Sequence, residues 1–289
     1  MHRNGWTLLP IIAFIFFTMT TYGQDISFGF KAGLSNATIS GPLETLPNGE
    51  KLENYNANKS FVLSLLFNVN FTDEFLLQSE LMYNQKGYNY QYDGPSYAIL
   101  RTEDEKFTLN GHRDLSVNIS NTYLQIPVSL SYKFFNRLQV QGGVYGSLLI
   151  ASTGAGRVIY NDIPEISDEV QQTLNYNYRS NKARGASLSE QQVRINNELE
   201  TIAGQVGAYY DYDEKDKGLY KTFDAGLHAG VNFFLNQSLF LGVRYSHGLV
   251  DITRNSVDRS YRDLNNGNLI FVEKDDLHRA WEFTIGFSF

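Results

Sequence analysis

Residues 281–289, Trp-Glu-Phe-Thr-Ile-Gly-Phe-Ser-Phe, place large apolar side chains at every odd position and small or polar ones at every even position. Side chains alternate faces along a strand, so this segment predicts a strand with one greasy face and one polar face. The same period of two recurs seven more times. It marks strands at 25–35, 60–71 (Phe61, Leu63, Leu65, Phe67, Val69 and Phe71 on one face), 75–87, 121–133, 138–151, 222–235 and 238–248. Pro127 interrupts the fourth of these, and because proline cannot donate to a ladder a bulge or a gap is expected there.

The connections alternate in length. Tight turns fall at 72–74, 134–137 and 236–237, and long polar stretches at 36–59, 88–119, 152–221 and 249–277. Eight strands joined alternately by short and long connections predict an all-β fold, an eight-stranded antiparallel transmembrane β-barrel with long extracellular loops. The even count puts both ends of the barrel on the periplasmic side. Within the longest insertion, Ser187-x-x-Glu190 reads as a capping box and Leu188, Ile195, Leu199 and Ile202 fall near helical spacing. These predict a short amphipathic helix over about 188–202, with a polar loop as the alternative.

The residues on each face choose the solvent. A soluble lipocalin-like barrel is the rival, but it would have to hold every Phe and Leu of the apolar face inside, where eight strands leave room only for packed side chains or one small ligand. The other face carries Gly, Ser, Asn and Gln with single charges at Lys31, Glu80, Lys86, Asp224, Arg244 and Glu282. Small residues with a few opposite charges suit a narrow, filled, polar lumen, and the large apolar residues suit hydrocarbon. The six lumen charges are expected to form a structural salt-bridge network, since a buried charge must be paired; an acid/base pair or an ion path is the sharper alternative. Aromatics gather at the strand ends, with Phe71, Phe75, Tyr132, Phe233, Phe287 and Phe289 at one and Tyr83, Tyr245 and Trp281 at the other, as in interfacial girdles.

Composition narrows the setting. Residues 1–23 read as a signal peptide, with Arg3 before an apolar run from Trp6 to Phe17 and small residues at Thr21 and Gly23. An uncleaved anchor helix is the alternative, but the run is broken by Pro10 and is shorter than the ~20 residues a spanning helix needs. The barrel domain is then 24–289, with the insertion at about 152–221. The chain has no cysteine, which excludes a disulfide, a thiolate metal site and a Cys nucleophile. Loss of 1–23 moves the formal charge from −7 to −8, which argues against a nucleic-acid partner.

Several motifs then resemble a family. Phe28-Gly29-Phe30-Lys31-Ala32-Gly33-Leu34-Ser35, Leu77-Gln78-Ser79-Glu80-Leu81-Met82-Tyr83-Asn84-Gln85-Lys86-Gly87, Tyr123-Leu124-Gln125-Ile126-Pro127-Val128 and Arg244-Tyr245-Ser246-His247-Gly248-Leu249 resemble the PorT-like (porin family) outer-membrane β-barrel proteins. The resemblance covers nearly all the strands and none of the long loops. It implies a barrel in the outer membrane of a Gram-negative-type envelope. Its best-known member serves a protein secretion system, and no residue here carries that role over. Trp281, Phe283, Ile285, Phe287 and Phe289 look like the C-terminal signal that such barrels show the insertion machinery.

Catalytic chemistry is sparse. The histidines, His2, His112, His228, His247 and His278, show no metal spacing, and Ser246 and His247 are adjacent and so face opposite ways. A pairing of a histidine with a loop residue is the remaining route to a barrel hydrolase acting on envelope lipid. Asp211 to Gly218 faintly matches a calcium loop, but its lysines and missing distal Glu favour a solvated charge run. No catalytic residue, cofactor or metal ligand is assigned. Tyr176, Tyr178, Tyr209, Tyr210, Tyr212 and Tyr261 on the loops suit an adaptable recognition surface, and equally an inert polar cap over lipopolysaccharide. The sequence therefore predicts a non-enzymatic barrel that meets outer-membrane lipid, the assembly machinery and an envelope protein partner or ligand bound by its loops. A secretion or assembly component is the alternative.

Overall fold

The computed structural model describes residues 25–186 and 190–289, and every regular element in them is a strand. The expected signal peptide lies outside the described residues. The strands are β1 (Asp25–Ser40), β2 (Glu53–Asn70), β3 (Phe75–Arg101), β4 (Lys106–Phe134), β5 (Leu138–Asn161), β6 (Val170–Asn177), β7 (Glu190–Ile195), β8 (Glu198–Ala203), β9 (Gln205–Val206), β10 (Phe223–Phe234), β11 (Leu239–Gly248), β12 (Arg259–Asn265), β13 (Asn268–Phe271) and β14 (Leu277–Ser288). Eight of them close an antiparallel ring in the order β1-β2-β3-β4-β5-β10-β11-β14, and β14 returns to β1 from Gly29↔Ser288 to Ser40↔Leu277. The ring leaves no edge strand, which is what a hydrocarbon solvent requires of a sheet.

The predicted faces are the observed ones. Phe30, Leu65, Ile126, Leu148 and Phe283 stand outward and exposed, while Lys31, Ser64, Gln125, Ser147 and Glu282 are buried in the lumen. An exposed band of this composition has no counterpart in a water-soluble surface, whereas lipid covers it without cost. The periplasmic end of the lumen is plugged by Leu66, Phe234 and Phe240. The Phe240 ring lies over Gly286, and a Cβ there would enter the ring.

Two expectations are corrected and a third is resolved. First, much of the long polar stretches is strand. The β3–β4 ladder runs in one register from Phe75↔Tyr132 to Arg101↔Lys106. At ~3.3 Å per residue, 27 residues extend far beyond the 9–11 that cross an apolar band. Its upper half therefore projects from the membrane. Second, residues 190–202 of the expected 188–202 helix are not helical. Glu190–Ile195 and Glu198–Ala203 form a hairpin, turned by Asn196 and Asn197 at φ of 51° and 70°, while Ser187 and Leu188 lie outside the described residues. Two consecutive asparagines with positive φ make the two-residue turn whose twist matches a hairpin. Third, of the bulge or gap expected at Pro127, the gap is the one formed. On the β3 side the pairing skips from Ser79↔Val128 to Met82↔Gln125 with no change of register, and the bulge sits instead at Thr122/Tyr123 against β5.

Above the ring the connections fold together as a cap. The β6 strand extends the sheet beside β5 and takes β9 in parallel on its other edge. The β7–β8 and β12–β13 hairpins lie against β3, through β8 and β12. The cap has its own core, which joins Tyr88, Tyr92, Leu115, Leu174, Ile195 and Ile252 across five different segments.

Candidate functional site

Two polar assemblies sit one above the other, in the lumen and in the cap. The lumen assembly holds all six charges that the alternation turns inward, and each is buried. Glu80 is a hub. Lys31 Nζ lies 2.9 Å from Oε2, Ser64 Oγ donates at 2.9 Å and Gln78 Nε2 at 2.7 Å. The Arg244 guanidinium grips both Glu80 oxygens, with Nη1 at 3.2 Å from Oε2 and Nη2 on Oε1. Arg244 Nη1 also lies 3.7 Å from Glu282, directly across the β11–β14 ladder, and Asn84 Nδ2 donates to the other Glu282 oxygen at 2.9 Å. Higher in the barrel, Asp224 takes Lys86 at 2.9 Å and His278 Nδ1 at 3.1 Å. These contacts join strands that are not neighbours in the ring, β3 to β11 and β3 to β10 among them.

The cap assembly was not legible as a site. Asp211, read as part of a solvated charge run, is buried: Arg259 Nη1 lies 2.5 Å from it and Arg113 Nη2 3.8 Å. The Tyr261 ring is shared by the two guanidiniums, at 4.6 and 4.7 Å. A charged pair survives burial here because both arginines also lie against aromatic faces. Beside it, Lys274 lies 3.6 Å from Glu53 and 3.4 Å from Asp258, and Tyr90 Oη donates to Glu53 at 2.7 Å. Burial pushes the Asp258 carboxyl up to about 7, with Asp276 and Glu53 adding to the rise and Lys274 opposing it. For Lys274, burial works downward, but Asp258, Glu53 and Asp276 outweigh it and hold the ammonium above its ordinary value. A cavity of about 60 Å³ opens between these groups and the rings of Tyr55, Tyr88, Tyr178 and Tyr220.

This arrangement corrects the expected tyrosine surface. Tyr178, Tyr209, Tyr210 and Tyr212 are buried, and Tyr176 and Tyr261 are partly buried against the same core. They build the cap instead of lining its exterior. One exterior feature is a cleft of about 660 Å³ at the crest, between the β3–β4 turn and β8, and another of about 730 Å³ lies on the other flank of that turn. The walls of the first carry Glu103, Asp104, Glu105, Glu190 and Glu200 against the single cation Arg101, with Leu199 standing exposed beside them. On the other flank of the turn, Asp213 is held down at about 2 by hydrogen bonds from Arg101 and Lys106, and Arg184 lies 3.4 Å away.

The histidines fall apart from one another. His112 Nε2 meets Asp93 at 2.7 Å on the outer β3–β4 hairpin, and His228 Nε2 lies 3.4 Å from Ser129 Oγ inside the lumen. Among the described residues no serine is hydrogen-bonded to His112 or His247, and no group of three or more His, Asp or Glu is placed to hold a metal ion.

The profile of the family described as "Outer membrane protein beta-barrel domain" matches residues 22–254. Among solved structures, the chain is similar to Ail, the attachment invasion locus protein of Yersinia pestis, at 8% identity and a TM-score of 0.38 over 92% of this chain and 99% of that one. It is also similar to Neisserial surface protein A, at 9% and 0.33 over 91% and 97%. OprG of Pseudomonas aeruginosa gives 10% and 0.33 over 92% and 97%. No curated protein matches the chain.

Proposed function

The chain belongs to the outer membrane protein beta-barrel domain family and resides in the outer membrane, and from that premise we propose that it is a non-enzymatic binding protein whose cap presents a rigid surface to an envelope or extracellular protein. One observation carries this reading: the surface connections pack around a buried core of their own. An inert polar covering needs no such core. A preorganised surface avoids the ordering cost that a mobile loop meets on binding. The crest cleft, with its carboxylates and exposed Leu199, is the docking face, and a partner with a basic surface complements it. The lumen charges are then read as structural, and residues 281–289 as the stretch read by the assembly machinery.

The test uses the way the insertion is rooted. Leu149 N donates to the Thr222 carbonyl at 2.7 Å, so the chain leaves and re-enters the ring at adjacent points. Residues 152–221 can be replaced by a short turn while the ring is kept. The intact chain is purified in mild detergent through an affinity tag and its companions are identified by mass spectrometry. A partner that is retained by the full chain and lost from the replacement supports the proposal. A protein that emerges alone in both cases sinks it. The resemblance of the quoted strand motifs to PorT-like barrels favours a second reading, a secretion or assembly component, and normal secretion in a deletion strain sinks that one.

A further inference from the structure

Arg179 and Arg254 lie together at the base of the cap. They flank a pocket of about 170 Å³ whose walls also include Ser152, Gly218 and Thr222 and contain no carboxylate. In a chain of formal charge −7, a pocket with two cations and no acid is a local inversion of sign. Neither arginine forms an ion pair among the described residues, whereas Arg113, Arg244 and Arg259 are each paired.

Both side chains are held by main-chain oxygens instead. Arg179 Nη1 donates to the Leu149 and Ile150 carbonyls at 2.8 and 2.9 Å. Arg254 Nη1 donates to the Gly218 carbonyl at 2.6 Å and to that of Tyr220. Each guanidinium thus spends one nitrogen on the fold. Its Nε and Nη2, the edge that grips an oxyanion with two parallel bonds, have no protein partner among the described residues.

The pocket lies at a defined depth. Leu149 and Thr222 belong to its wall, and their chain neighbours Leu148, Ile150 and Phe223 are exposed on the apolar face. Phe223 and Leu148 are register partners, the uppermost pair between β10 and β5. The two arginines therefore sit just above the last lipid-facing residues, where the outer leaflet carries its headgroups. We propose that this rim pocket binds the phosphate of an anionic lipid headgroup, with the acyl chains of that lipid lying against Leu148, Ile150 and Phe223. The inference rests on the membrane placement of the barrel and not on the partner-binding reading.

The test titrates the intact protein in a nonionic detergent with dihexanoyl phosphatidic acid, dihexanoyl phosphatidylcholine and inorganic phosphate, and reads binding by native mass spectrometry. The phosphatidic acid is expected to bind at least tenfold more tightly than either comparison probe and to weaken with added salt. Arg179→Ala/Arg254→Ala is expected to lose that preference. Because Arg179 also braces β5, Thr222→Glu is measured beside it: this substitution leaves both arginines in place and brings a carboxylate into the pocket wall, and it is expected to cause the same loss. Equal binding of the two lipids overturns the proposal, and so does inorganic phosphate binding as tightly as the lipid. Retention of the preference in Thr222→Glu also overturns it.

Discussion

Arg244→Ala removes the cation that holds two lumen carboxylates. In the native hub two cations, Lys31 and Arg244, balance two anions, Glu80 and Glu282. After the substitution one negative charge is uncompensated. Glu80 keeps Lys31, Ser64 and Gln78, but among the described residues Glu282 keeps only the Asn84 amide. Breaking a buried pair on one side costs about 3–5 kcal/mol. The partners left to Glu80 place this case near ~3 kcal/mol, more than about a hundredfold in the unfolding equilibrium. The double variant Arg244→Ala/Glu282→Ala restores neutrality, so its cost is expected to fall short of the sum of the two single costs. The assay is urea unfolding in detergent followed by tryptophan fluorescence. Trp6 lies within the expected signal peptide, so Trp281 is the sole tryptophan of the remaining chain, and it sits beside Glu282 on β14. An unchanged midpoint for Arg244→Ala, or strictly additive costs in the double variant, would refute the view that these charges form one structural network.

Other outcomes follow from the same geometry. Asp258 has a folded-state pKa of about 7, above its unfolded value, so the folded cap binds the proton more tightly. Its contribution to stability is complete at low pH and is lost as pH rises through 7, so cap protease resistance is expected to fall between pH 5 and pH 8. Asp258→Asn is expected to flatten that profile. Deleting Phe289 removes a reciprocal pair of backbone bonds with Phe28, at 2.8 and 2.9 Å, at the closing seam. Membrane insertion, read as the heat-modifiable fraction on gels, is expected to drop while any protein already inserted binds as before. Gly286→Val forces a branched side chain into the Phe240 ring at the periplasmic plug, and a loss of about 1–3 kcal/mol is expected in the same urea assay.

The ring was legible because hydrocarbon outside and a polar lumen inside give the largest contrast that a period of two can carry. Six apolar residues in alternation from Phe61 to Phe71 leave little choice of face. The cap was not legible in this way because its buried face is made of tyrosine. In Tyr88-Asn89-Tyr90-Gln91-Tyr92-Asp93 the alternation persists, and the tyrosines are the buried set, but the contrast is between two residue types that both occur in loops. Two turn signals were present. Asn196-Asn197 and Asn266-Gly267 both adopt positive φ and reverse the β7–β8 and β12–β13 hairpins. The first was hidden by apolar residues whose spacing happened to fit a helix. The lumen charges share a face by alternation alone, but which acid meets which base depends on register across the barrel. The Arg113–Asp211–Arg259 cluster joins three distant segments, and no local spacing announces it.

Alternate residues of each ring strand face lipid and the lumen, and the rest of the architecture depends on this. The chain has no cysteine, so single cysteines can be placed without background. Spin labels at successive positions from 281 to 287 in the reconstituted protein, read for oxygen and for a water-soluble paramagnet, test it directly. High oxygen accessibility is expected at 281, 283, 285 and 287, and low accessibility to both reagents at 282, 284 and 286. Equal exposure of both sets to the aqueous reagent, or apolar positions shielded from oxygen as in a soluble barrel, would contradict it.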